Sequence, residues 1–179
     1  MENDQSHLHA ILKQHEGGIL TDWLSELALG SKNDRRISET ELSNQAREFL
    51  TLVLAASATN NSGIGIESAR WAPVRDFLEG ISRSRAQQGF TSAETATFIF
   101  SFKKPLFERL RKEWGNNPQE LAAGTWEANE LLDKLGLHTV QIFQKAREAI
   151  ISRQQEELLE LSTPVVKLWE GILALPMIG

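Results

Sequence analysis

Three times along this chain a residue suited to cap a helix stands three places before a glutamate: Ser38 before Glu41, Thr91 before Glu94, and Asn117 before Glu120. The capping side chain accepts a bond from an N–H of the first turn, and the acid faces the positive end of the helix. Apolar residues then follow at spacings of three and four. Leu42, Ala46, Phe49, Leu50 and Val53 form one such face, and Phe98, Ile99, Phe102, Leu106 and Leu110 another. A chain punctuated this way is expected to pack helix against helix.

The remaining elements extend the pattern. Ile19, Leu20, Trp23, Leu24 and Leu27 predict a first helix over residues 5–29, with Gly17-Gly18 as its weak point. Ile37 and Leu42 flank the Ser38 cap as a hydrophobic staple. The second helix is expected to end at residues 60–63. Pro73 suits the first turn of a third helix carrying Trp71, Val74, Leu78 and Ile81. The helix opened by Thr91 is expected to continue through Pro105 with a bend over residues 101–105. The last helix is read from Pro118 to about Leu161, with Gly136 as a place to break. Its residues 152–157 are all polar, as in a connector or half of a weak coiled coil.

Beyond Leu161 the chain changes character. Residues 164–169 are short and β-branched, Glu170-Gly171 is a turn signal, and residues 172–179 are nearly all apolar. Two strands joined at Glu170-Gly171 are predicted, the opening of a sheet that the chain does not complete. The resulting expectation is an all-α helical bundle, a long C-terminal connector helix and a truncated β-hairpin. The divisions are 1–137, 138–161 and 162–179.

Composition removes several functions. The chain has no cysteine, which excludes disulfides, thiolate nucleophiles and cysteine-bound metals. With a net charge of -5 and no basic stripe, nucleic acid is a poor partner. The polar N-terminus lacks a signal-peptide core, and no apolar run is long enough to span a bilayer, so the expected address is the cytoplasm.

Two segments carry a family resemblance. Residues 160–176, ELSTPVVKLWEGILALP, resemble the opening of the STAS domain in RsbR-type proteins of the stressosome. Residues 89–98, GFTSAETATF, resemble the N-terminal domain of RsbRD-type co-antagonists of the kinase RsbT. The resemblance implies a helical, often globin-like N-terminal domain that usually lacks haem and dimerises. It also implies a helix leading to a STAS domain, and partnership with RsbS-like STAS proteins and an RsbT-like kinase. The family's phosphorylated threonines belong to the STAS region and its approach, and none is transferred to Thr163.

The residues leave no constellation for catalysis, so a non-enzymatic role is expected. Gly63-Ile64-Gly65 has no strand before it and reads as a turn rather than a phosphate loop. His7, His9 and His15 read as surface histidines, since His7 and His9 fall on different faces of a helix and no metal pattern accompanies them. His138, beside Leu137 and Val140, is the one candidate for a haem ligand, against the plainer reading of a helix-start histidine. That candidate belongs to the alternative function, a haem- or small-ligand-binding globin-like sensor. Glu156-Glu157 and Glu127 with Glu130 read as solvated charge. Phe98, Phe102 and Trp126 read as core, with a ligand pocket as the sharper alternative. Trp23, Leu24, Phe143 and Ile150 are expected to supply apolar surface for a homodimer.

Overall fold

A computed structural model of the chain describes residues 7–30, 36–58, 65–161, 166–169 and 172–174. Its elements are α1 (His7–Gly30), α2 (Glu39–Ala56), a 3-10 turn (Ala69–Trp71), α3 (Ala72–Gln87), α4 (Ser92–Phe100), α5 (Lys103–Trp114) and α6 (Pro118–Leu161). Two short strands follow, β1 (Val166–Trp169) and β2 (Ile172–Ala174). They pair antiparallel with Val166 opposite Ala174 and an irregularity between Lys167 and Trp169. The turn at Glu170-Gly171 and Gly63-Ile64 lie outside the described residues, whereas α2 ends at Ala56, short of the residues 60–63 expected to stop it, with Ser57 N bonded back to Val53 O at 2.9 Å.

The caps form as local chemistry requires. Ser38 Oγ accepts from Glu41 N at 3.1 Å, while the Glu41 carboxylate turns forward to Gln45 Nε2 at 3.2 Å. At Thr91 the exchange is reciprocal: Glu94 N donates to Thr91 Oγ1 at 3.1 Å, and Thr91 N donates to Glu94 Oε2 at 2.7 Å. Just upstream, α3 stops on Gly89, whose φ of 81° lets Phe90 N bond back to Arg85 O at 3.0 Å. One helix ends and the next begins within a few residues.

Trp23 sits at the centre of the core. Its ring lies 5.6 Å from Phe49, 5.1 Å from Phe98 and 4.7 Å from Phe102, and its Nε1 donates to Ser101 Oγ at 2.8 Å. Around this cluster α1 contributes Leu12 and Ile19, α3 Leu78, α5 Leu106 and Leu110, and α6 Leu131 and Leu135, all buried. The faces read from the sequence for α1 through α5 are the faces that turn inward. α6 is the spine, with α3, α4, α5 and α1 packed along it.

Three breaks differ from expectation. α1 kinks at His15 (φ -120°, ψ 17°), not at Gly17-Gly18. His15 Nε2 lies 3.3 Å from Glu113 of α5. Gly18 gives room instead of flexibility, because a Cβ there would lie 2.8 Å from Arg109 Nη2. The helix opened by Thr91 does not bend through Pro105 but separates into α4 and α5. Pro105 has no N–H to return to Ser101 O, and Phe102 N closes a tighter turn onto Ile99 O at 3.1 Å. At Gly136 there is no break, and α6 runs for 44 residues. A Cβ on Gly136 would strike the Phe100 ring, so this glycine is a notch that lets α4 approach α6.

Candidate functional site: a long helix with two apolar faces

The chemistry-bearing candidates of the sequence are dispersed by the fold. His9 is buried, correcting its assignment to the surface. Its Nδ1 lies 3.2 Å from Leu54 O and 3.3 Å from Ser57 Oγ, tying α1 to the end of α2. His15 pairs with Glu113, and the side chain of His7 lies outside the described set. Among the described residues, no three His, Cys, Asp or Glu side chains are grouped as metal ligands would be.

His138 is half-buried on α6, with Nε2 buried and lacking a hydrogen-bond partner. It faces a crevice of about 280 Å³ whose lining includes Glu67, Lys134, Leu137 and Gln141. Burial lowers its pKa below the ordinary 6.5. Glu79 and Glu67 oppose that shift, while Arg75 and Lys145 add to it. A small crevice edged by charge is not the apolar slot a haem ring requires.

Phe98 and Phe102 belong to the Trp23 cluster, whereas Trp126 stands 72% exposed on the far side of α6, so the three do not share a pocket. The paired carboxylates have ordinary partners. Glu127 accepts from Leu8 N, Glu130 binds Lys134 at 2.6 Å, and Glu157 binds Arg153 at 2.9 Å.

What the fold does bring together lies along α6. Its inward face carries Ala128, Leu131, Leu132, Leu135, Thr139 and Phe143. Polar contacts hold that face in register. Lys103 Nζ donates to Asn129 Oδ1 at 2.8 Å and to Asp133 Oδ1 at 2.7 Å. Ser82 Oγ of α3 lies 3.3 Å from Thr139 O. Burial thins along α6 toward half-buried Ile150, and residues 151–159 are all exposed.

The opposite face holds a second apolar line. Leu137 is 63% exposed, Ile151 46% and Leu158 66%. With Gln144 they repeat every seventh residue, and half-buried Val140 stands between the first two. A seven-residue repeat keeps side chains on one side of a helix, the arrangement used to meet a second helix. Gln144, Arg147 and Gln154 interrupt the line, so the seam is a weak one. The residues expected to supply apolar surface for a dimer are covered to different degrees. Trp23 and Phe143 are buried in the body, and Leu24 and Ile150 are half-covered. The signal that locates the seam is the spacing 137, 144, 151, 158, visible only once the inward face of α6 is known.

No helix among the described residues is long and apolar enough to cross a membrane. Residues 17–158 match the family described as the RsbT co-antagonist protein rsbRD N-terminal domain. A relative, the RsbT co-antagonist protein RsbRD of Bacillus subtilis (strain 168), is 23% identical over 178 residues. That stretch covers 94% of this chain but 61% of the relative, so the chain spans less than two thirds of that protein's length. No solved structure matches. The family match enters within α1 and runs through every helix to the exposed end of α6, and the chain belongs to the family of RsbT co-antagonist RsbRD N-terminal domains.

Proposed function

We propose that the chain is the non-catalytic sensory or scaffolding part of an RsbR-like, cytoplasmic stressosome regulator. Residues 1–137 form its helical body, of globin-like kind, residues 138–161 act as the connector, and residues 162–179 open a STAS domain. The connector relays the state of the body to that domain, which controls an RsbT-like kinase alongside RsbS-like partners. The observation that carries this reading is α6 itself. One uninterrupted helix is rooted in the core by Leu131 and Leu135, leaves it beyond Ile150, and belongs to a chain of this family. The name of the Bacillus subtilis relative, a co-antagonist of RsbT, supports the kinase as the target.

A second copy of the chain is the proposed occupant of the outer seam, joined helix to helix along Leu137, Ile151 and Leu158. For two states of the body to reach the kinase, they must favour different arrangements of this helix.

The test uses the full-length protein, with Leu137, Ile151 and Leu158 each changed to glutamate. Sedimentation should show a dimer for the parent and a monomer for the variant, and immobilised parent should retain an RsbT-like kinase from the same organism. A parent that stays monomeric at about 50 µM, above the micromolar range of ordinary weak complexes, overturns the dimer. A parent that fails to retain the kinase overturns the regulator.

A further inference from the structure

α3 stops at Gln87 while α6 continues past it, and beside that step runs a groove of about 390 Å³. Its size falls within the roughly 300–1,000 Å³ typical of small-molecule sites. The floor is aliphatic: Ile142, Ala146, Ala149 and Ile150 of α6. No aromatic ring lines it, so a flat aromatic ligand has nothing to stack on there. α3 supplies one turn of wall, Arg83 to Gln87, which suits a small molecule better than a docked helix several turns long.

Three cations line the groove, Arg83, Lys145 and Arg153, and no carboxylate does, in a chain of net charge -5. Two of them have acids outside the groove. Arg83 Nη2 lies 3.3 Å from Glu79, and Arg153 Nε lies 2.9 Å from Glu157. Both are exposed pairs within one helix, which contribute little and exchange easily. The Arg153 pair uses Nε, which leaves both Nη groups to donate elsewhere. Lys145 makes no hydrogen bond or ion pair among the described residues. Ser82 of α3 lies level with Thr139 of α6, so Arg83 and Lys145 stand toward one end of the groove. Arg153 comes eight residues after Lys145, about 12 Å farther along the axis. The groove is also clear of the outer seam. Ile142 and Gln144 are two residues apart and so about 200° apart around α6. A second copy on the seam leaves the groove open.

We infer that this groove is a binding site for an aliphatic dicarboxylate. One carboxylate lies on Arg83 and Lys145, the other on Arg153, and the hydrocarbon between them covers Ala146, Ala149 and Ile150. Such an occupant braces α6 against α3 at the point where α6 leaves the body. The inference stands apart from the kinase reading. Binding is measured on the chain alone, and its failure leaves kinase retention untouched, just as loss of kinase retention leaves the groove untouched.

The probe is disodium octanedioate, titrated into the isotope-labelled 179-residue chain and followed by amide shifts. Octanediol is its uncharged counterpart, and succinate carries the same charges on a shorter body. Saturable shifts at Arg83, Gln87, Ala146 and Ala149 are expected. Octanediol should bind at least about tenfold more weakly for want of charge, and succinate likewise for want of apolar contact. Ala149→Trp, at an exposed position on the groove floor, should fill the groove and abolish the shifts while helix content is unchanged. Lys145→Gln should weaken octanedioate at least about threefold and leave octanediol as it was. Absence of saturable shifts up to about 20 mM, or succinate or octanediol binding as tightly as octanedioate, overturns the assignment. So does an Ala149→Trp chain that binds as well as the parent, and Lys145→Gln, at an exposed position, decides the matter if Ala149→Trp fails to fold.

Discussion

Arg36 holds one helix end against the next. Its Nη1 donates to Gly89 O at 3.0 Å, its Nη2 reaches Glu94, and its guanidinium lies 3.9 Å over the Phe90 ring. The bond from Arg36, joined by those from the Thr91 backbone and hydroxyl, holds the Glu94 pKa at about 2, below its ordinary 4.5. A carboxylate lowered this way stabilises the fold above its ordinary pKa and loses that contribution as the pH falls toward the folded value. Glu94→Gln should therefore melt lower than the parent at neutral pH, with the gap closing between about pH 4.5 and pH 2. A gap that stays constant down to pH 2 would contradict this. His138 has its pKa lowered too, but for a base this means that protonation opposes the fold. Stability is full above 6.5 and declines as the pH falls below it. His138→Gln should flatten the melting profile between about pH 7 and pH 5, and an unchanged slope there would show the side chain to be solvated. Neither effect was legible in the sequence beyond the Thr91–Glu94 pair. Arg36 reaches Glu94 across 58 residues, and His138 is covered by a segment around Glu67 that no helical period places beside it.

At the level of elements, helix starts were legible and helix interruptions were not. A cap is a contact between near neighbours in sequence, so Ser38, Thr91 and Asn117 announce their helices from the letters alone. A glycine inside a helix is ambiguous, because the missing Cβ gives freedom in one setting and room for a neighbour in another. Gly17 has nothing within 4 Å of where a Cβ would stand, whereas a Cβ on Gly124 would lie 2.5 Å from Trp114 Cζ3 and 3.3 Å from Leu110 Cδ2. Alanine at these two positions should thus act in opposite directions. Gly17→Ala should stabilise by up to about 1 kcal/mol through helix propensity. Gly124→Ala should destabilise by about 1–2 kcal/mol net, as overpacking against the buried Leu110 outweighs the same propensity gain. Thermal melts of the two variants check both signs. Pro105 carried a clearer message than the glycines, and the sequence reading erred only in expecting a bend where the missing N–H permits a full separation.

Across the whole molecule, the all-helical body and both ends of α6 were readable, and the outer seam was not. The inward residues of α6 and its seam residues are equally apolar, and one amphipathic pattern conceals the other until α3, α4 and α5 are in place. The burial of Arg85 escaped for a related reason. Arg85 continues the buried line of Leu78, Ile81 and Ser82 on α3, yet an arginine at that point reads as the place where the apolar pattern fades.

The unbroken course of α6 has a mechanical corollary. At about 1.5 Å and 100° per residue, a helix of 44 residues is a shaft about 66 Å long, in which adding one residue barely lengthens the shaft but swings everything beyond it by more than a quarter turn. Its two ends are therefore related by phase far more tightly than by distance. Residues inserted between Ser152 and Glu156, in the exposed stretch, change that phase without touching the body. If the shaft transmits orientation, kinase retention by the full-length protein should vary cyclically with insert length: lost with two added residues, regained with seven, and lost again with nine. A steady decline with length would mean that the far end is tethered rather than aimed, and that torque plays no part in what α6 conveys.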